Sequence, residues 1–303
     1  MDPAVALLIF ALGLAFGSFL NVCIYRLPRE MSVVRPGSAC PSCKQPIAPY
    51  DNIPVLSWFI LRGRCRQCQC RISPRYLVVE LVTGAMFLAC YAHFGYTLAL
   101  LKYCTLGFLL LGLIFTDAET QLLPDKMTLP GIVLGLLFSA FVPVDDLVSH
   151  LLPMLVSLSH PSRWLSLADS LIGAVVGASF IYGVGAIYLR ARGVQGMGFG
   201  DVKLMALIGA FLGTKLTIFT IFAGSIVGSL AGLAMVLSVW LKRTRRRMAR
   251  NHEAVAVARR RAWNSATVML RAFPIPFGVF LGPMAIVAFF FGNQFLRWYW
   301  RLL

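Results

Sequence analysis

Two aspartates stand where an apolar chain should not tolerate them. Asp117 closes a long apolar stretch in FTDAETQLLPD, and Asp201 opens another in GMGFGDVK. Ionisable groups at a membrane are costly unless they have a task. Two carboxylates held close together do not both ionise readily, so one keeps a proton while the other stays charged. Such a pair can hydrolyse an amide without a metal. The charged oxygen deprotonates a water, and the neutral acid donates to the carbonyl and later helps protonate the leaving amine. Plainer readings exist beside this one. Asp201 at a helix start suits an N-cap, whereas Asp117 at a helix end meets the negative end of the dipole and needs another justification. Asp125, directly after Pro124, reads as a cap, Glu119 as a solvated loop residue, and Glu80, just inside an apolar stretch, has no assigned role. Gly196, Gly198 and Gly200 lack Cβ atoms, so this turn is expected to approach an extended peptide closely and to adopt dihedrals closed to other residues.

A second group of residues suits a metal. CPSC (Cys40, Cys43) and CRQC (Cys65, Cys68) are two thiolate hooks that can converge on one tetrahedral site, as zinc or a similar thiolate-loving ion prefers. Cys70 is an alternative to Cys68 at this stage. Four protein ligands leave no open position, so the expected role is structural. A pair of disulfides is the weaker explanation on a reducing cytoplasmic side. Cys23, Cys90 and Cys104 read as small apolar packers.

The elements that must position these groups are membrane spans. Of 303 residues, 58% are hydrophobic and 13% charged, against about 25% charged in a soluble domain. About eight apolar segments approach the ~20 residues a span needs, near 4–25, 77–96, 98–116, 127–143, 168–189, 202–214, 217–241 and 276–296. The first has no basic region before it and reads as a retained anchor. If 26–76 faces the cytoplasm, that side holds 23 of the 28 Lys and Arg residues, which puts both termini outside and both aspartates at the cytoplasmic face. Small residues four apart, such as Gly13 and Gly17, Gly173 and Gly177, and Gly224, Gly228 and Gly232, suit close helix packing. The expected fold is an all-α polytopic membrane protein with a cytoplasmic four-cysteine zinc loop. Its parts are a first transmembrane helix (1–25), the loop domain (26–76) and a transmembrane peptidase domain (77–303). The basic run 242–250 follows a span and is expected to fix topology and touch anionic headgroups, at about 1 kcal/mol per charge, rather than nucleic acid.

With these residues in view, the chain resembles the bacterial prepilin peptidase family. The likeness is carried by GSFLNVCIYRLP (17–28), the four cysteines, NIPVLSWFILRGRC (52–65), ISPRYLVVELVTG (72–84), TDAETQLLPD (116–125) and GMGFGDVKLMALIGAFLG (196–213), the last containing the GxGD signature of intramembrane aspartyl proteases. The resemblance implies catalysis by Asp117 and Asp201, and cleavage of a basic leader after a glycine in type IV prepilins or pseudopilins. It also implies methylation of the new N-terminus, often a phenylalanine, from S-adenosylmethionine. The setting it implies is the inner membrane, beside pilus or type II secretion machinery. Leu77 and Val279 depart from prolines common in the family and are expected to lie away from the aspartates. Residues 143–167 and 242–273 look long for the family. No dinucleotide-type glycine fingerprint marks a methyl-donor site; the junction of the first loop with the second span is the natural place to look. A proton-coupled transporter, which would want acids near mid-bilayer, and an inactive scaffold with a zinc loop are the competing readings.

Overall fold

The computed structural model describes residues 2–143, 163–193, 197–251, 255–272 and 277–301. Gly196 and most of the long segment 143–167 fall outside them. The described residues form helices α1 (Pro3–Arg26), α2 (Leu56–Ile60), α3 (Arg75–Phe94), α4 (Leu98–Thr120), α5 (Asp125–Phe141), α6 (Arg163–Arg192), α7 (Phe199–Asn251), α8 (Val255–Ala272), α9 (Gly278–Val287) and α10 (Asn293–Trp300). A π-helical turn, Ala288–Gly292, joins the last two. Among the described residues there is no strand, only isolated bridges Ala39–Pro46 and Arg64–Arg71. The helix starts are legible locally: Asp2 caps α1 by accepting from Ala4 N–H at 2.9 Å, with Pro3 in the first turn.

Among the described residues, six helices are long and apolar enough to cross a membrane by length and composition. The expected segment at 127–143 is the 17-residue α5. The expected segments at 202–214 and 217–241 are the two parts of α7, which meet at a kink at Gly213, whose φ of 75° and ψ of −176° lie outside helical space. The basic run continues as helix rather than opening into a loop, because arginine, lysine, methionine and alanine are strong helix formers. α8 then folds back onto it. Trp240 Nε1 donates to the Arg259 carbonyl at 3.1 Å, the Trp240 and Trp263 rings meet edge-on at 6.0 Å, and Ala258 and Ala262 are fully buried.

Close backbone crossings set the bundle. A Cβ at Gly13 would lie 2.8 Å from Gly84 Cα, and one at Gly17 would lie 2.7 Å from Glu80 Cα, so α1 and α3 meet along this small-residue row. Gly173 of α6 packs against Gly209 and the Gly213–Thr214 peptide of α7, and Gly135 of α5 packs against Phe211. The core between them is Leu20, Leu106, Leu110, Leu207, Ile208 and Phe211, all fully buried. Leu7, Leu12, Val133, Leu137 and Ile187 point outward, as lipid-facing side chains do. A buried polar seam ties α4, α5 and α7 at the far end from the aspartates: Lys102 Nζ lies 3.4 Å from Ser139 Oγ, which donates to the Ala210 carbonyl at 3.1 Å.

Candidate active site

Asp201 lies in the first turn of α7 and is 8% exposed. Its backbone N–H donates to the Gly198 carbonyl at 3.1 Å, and the Gly198 backbone bonds back to its carboxylate. That return bond has the form of a capping box, in which an acid in the first turn satisfies an orphan N–H before the helix. The start of α7 is clamped to the connection between α4 and α5. A Cβ at Gly200 would come within 3.0 Å of Leu123 Cβ, and Lys203 Nζ pairs with Asp125 Oδ1 at 2.5 Å. Asp125 is therefore an ion-pair partner as well as a first-turn acid.

Asp117 sits in the last turn of α4, 4% exposed, with its carbonyl accepting from Gln121 N–H at 2.9 Å. The unfavourable meeting with its own helix C-terminus is answered by a different helix. The start of α9 faces it, and Val279 N–H donates to Asp117 Oδ2 at 3.2 Å, with the Gly278 backbone bonding the same carboxylate. The positive end of one helix thus offsets the negative end of another. Val279 had been expected away from the aspartates; the structure corrects this, because the α9 start packs directly on Asp117.

Gly278 packs between Asp117 and the first turns of α7. A Cβ there would lie 2.8 Å from Asp117 Oδ2 and 3.3 Å from Leu204 Cδ2, one helical turn beyond Asp201. Asp117 is close enough for its charge to act on Asp201. Two buried acids therefore lie near each other at one end of the bundle, each held by backbone N–H groups. Substituting Gly278→Ala is expected to push the Asp117 carboxylate aside and slow turnover by about 100-fold, as small misplacements of reacting groups do. Parallel melting curves and cleavage assays check this, since a purely structural effect would lower both.

The glycines before Asp201 act differently from expectation. Neither Gly198 nor Gly200 takes a left-handed backbone conformation. α7 has already begun at Phe199, so ordinary helical dihedrals suffice. Gly200 is required by its contact with Leu123, whereas at Gly198 a Cβ would meet only Asp201 Oδ2 and Gly200 N, both at 3.9 Å, so the approach to the acid stays open. Glu119 is not a free loop residue: it ends α4 in an ion pair with Arg75, which opens α3.

The four expected cysteines come together. Their Sγ atoms all lie within 4.8 Å of one another, a spacing that a tetrahedral thiolate site requires. The two hooks are copies of one turn. Cys40 N–H donates to the Gln45 carbonyl and Lys44 N–H to the Cys40 carbonyl; Cys65 N–H donates to the Cys70 carbonyl and Gln69 N–H to the Cys65 carbonyl. Lys44 and Gln69, the fifth residue of each, both have positive φ, 61° and 57°. This match bears on the choice that spacing left open. Cys68 corresponds to Cys43, whereas Cys70 corresponds to Gln45, although Cys70 Sγ also lies 3.5 Å from Cys40 Sγ. The backbone N–H of Cys43 draws the Cys40 thiol down to about 6 and that of Cys70 draws the Cys68 thiol down, while burial and the neighbouring thiols push the Cys43 thiol up to about 12.

Sequence reasoning left Glu80 unassigned. It is 8% exposed, and its Oε2 accepts from Val55 N–H at 2.7 Å. Val55 has φ 63° and ψ −52°, a conformation that costs a β-branched residue about 1–3 kcal/mol. The carboxylate thus pins a strained point of the cysteine loop to α3. The signal available in sequence was only the acid's place inside an apolar stretch.

Comparison with known proteins now decides the assignment. The Bacterial Peptidase A24 N-terminal domain matches residues 11–94, and the Type IV leader peptidase family matches residues 103–233. A prepilin leader peptidase/N-methyltransferase of Aeromonas hydrophila is 32% identical over 96% of this chain and 92% of its own length. The chain belongs to the prepilin leader peptidase family. The relative of the same description from Neisseria gonorrhoeae is 36% identical over 78% of the chain and 84% of its own length. The one from Myxococcus xanthus is 37% identical over 78% of the chain, which spans 64% of that relative. No solved structure matches the chain. Asp117 and the stretch GMGFGDVK both fall inside the segment matching the leader peptidase family, and the four cysteines fall inside the N-terminal one.

Proposed function

We propose that this protein is a membrane-embedded aspartyl endopeptidase that removes the basic leader of type IV prepilins or pseudopilins after a glycine, and then N-methylates the new N-terminal residue from S-adenosylmethionine. The observation that carries the peptidase half is the burial of Asp117 and Asp201 near each other at one end of the bundle, with Gly278 packed on Asp117. In this reading the ionised member of the pair takes a proton from the attacking water. The protonated member donates to the scissile carbonyl and then serves the departing amine. Gly198 and Gly278 keep the space around the carboxylates free of side chains. The transferase half is supported by the relatives' shared description.

Cys40, Cys43, Cys65 and Cys68 would hold Zn2+ in a closed structural site that braces the loop of residues 26–76, leaving residues 77–303 to form the peptidase. The excess of lysine and arginine on the loops next to the aspartates supports a cytoplasmic catalytic face, periplasmic termini and residence in the inner membrane beside pilus or type II secretion machinery. The test is purified enzyme with a synthetic precursor, read by mass with and without S-adenosylmethionine. A shortened product in both reactions, one methyl group heavier only with the donor, is the expected result. An intact precursor would remove the peptidase reading, and a shortened but never methylated product would remove the transferase reading.

A further inference from the structure

Cleavage and methylation leave the basic pair formed by the end of α7 and by α8 without a role. Gly228 of α7 packs beside Phe277 and Phe280, where α9 starts against Asp117, and α7 then runs on to Asn251. Residues 234–272 fall outside both segments that match the family, so this pair is an addition to the matched fold. We infer that its exposed cations form a collar that binds the phosphates of anionic phospholipids in the leaflet beside the aspartates, with an adjoining leucine stripe set among the acyl chains.

The order of side chains along one face of α7 carries the first part. Leu233, Leu237 and Leu241 follow one another at four-residue spacing, and the next place on that stripe is Arg245. All four are exposed. A surface suited to hydrocarbon therefore gives way to a cation within one helical turn. α8 then brings further cations to the same height. Trp240 Nε1 donates to the Arg259 carbonyl at 3.1 Å, so Arg259 and Arg260 stand level with the end of the leucine stripe. Lys242, Arg245, Arg246, Arg259 and Arg260 are all exposed. Residues 242–261 hold nine lysines and arginines against one acid, Glu253.

The aromatic residues at this height point the same way. The Trp240 and Trp263 rings meet edge-on at 6.0 Å beside the cations. Tryptophan together with lysine and arginine is the set that anchors helices where hydrocarbon meets headgroups. A lipid also fits better than the other polyanions. Nucleic acid answers to clustered arginine, but it makes no use of leucines that end one turn before the charge. An acidic protein would have to displace the nearer surface, because α7 carries its stripe directly from a stretch apolar enough to span a membrane. Cations next to such a stretch draw anionic headgroups over about a Debye length.

The test uses the purified full-length chain in mixed micelles of phosphatidylglycerol and phosphatidylcholine, with the lipid retained per chain counted by mass after washing. Wild type should retain phosphatidylglycerol in preference, and the preference should fall as salt rises. Lys242→Gln, Arg245→Gln, Arg246→Gln, Arg259→Gln and Arg260→Gln combined should lower it at least about tenfold. Lysine at the four arginine positions should preserve it, because a headgroup layer reads charge rather than the guanidinium fork. Melting curves accompany both variants; if the glutamine variant does not fold, the lysine variant and the salt series on the wild type decide. A preference equal in wild type and glutamine variant, or one that salt does not move, overturns the inference. Loss in the lysine variant also overturns it, since that marks a site built around guanidinium geometry. A glutamine variant that keeps phosphatidylglycerol but no longer captures polyglutamate or duplex DNA would give the collar to an acidic protein or to nucleic acid instead.

Discussion

Asparagine at either 117 or 201 should lower precursor cleavage by about 10⁴-fold, with the double variant no worse than a single one, because acid and base act as a unit. The protein should still fold. An asparagine oxygen can accept the Val279 N–H that now reaches Asp117 Oδ2, and the Gly198 contact at Asp201 is equally open to an amide. Removing a buried charge that has no ion-pair partner among the described residues also carries little stability cost. The assay must therefore be paired with a melting curve: lost activity with retained melting supports the pair, whereas full processing by either variant would falsify the mechanism.

The second large effect concerns the cysteine loop. Complete metal removal, or Cys43→Ser, should loosen residues 37–73 and expose them to protease, since ligand thiolates in a small loop couple metal binding to folding. Apart from the cysteines, the loop's own side-chain contacts include a bidentate Arg66–Asp51 pair at 2.6 and 2.7 Å, Ser57 bonded to Ile53 and Tyr50, and Trp58 packed over Gly63. The matched turns sharpen this expectation. Cys68→Ser should release about one metal ion per chain, whereas Cys70→Ser should retain it. Metal content by elemental analysis of the two purified variants settles the matter, and the reverse order of loss would exchange their roles. Unchanged protease resistance after full chelation would deny the metal its bracing role.

How much of this was legible beforehand depended on chemistry that side chains advertise. Asp117 and Asp201 stand out because charge in apolar sequence is rare, and the basic loops oriented them to one face. The α9 start was invisible, because a backbone N–H has no sequence signature and Val279 lies 162 residues from Asp117. Glu80 was visible as an oddity, but its partner at Val55 is again a backbone group. Spacing favoured Cys68 and left Cys70 as an alternative; the repeated hydrogen-bond pattern of the two turns pairs Cys68 with Cys43. The glycines of GMGFGD suggested unusual dihedrals, yet a helix that begins at Phe199 needs none, and close packing on Leu123 explains Gly200. The break at Gly213 could be read as a short span ending, since glycine, threonine and lysine in sequence resemble a loop. The structure does break helical geometry there, at Gly213, and Gly173 packs closely against that peptide.

The most direct measurement is a distance. With Asp117→Cys and Asp201→Cys combined in intact membranes, a short thiol cross-linker should join positions 117 and 201, identified by mass after digestion. A cysteine pair at 135 and 211, which the bundle also holds in contact, provides the positive control. Joining at both pairs is the predicted result. Joining at 135 and 211 but never at 117 and 201 would mean that the two acids do not meet, and the peptidase site described above would not exist.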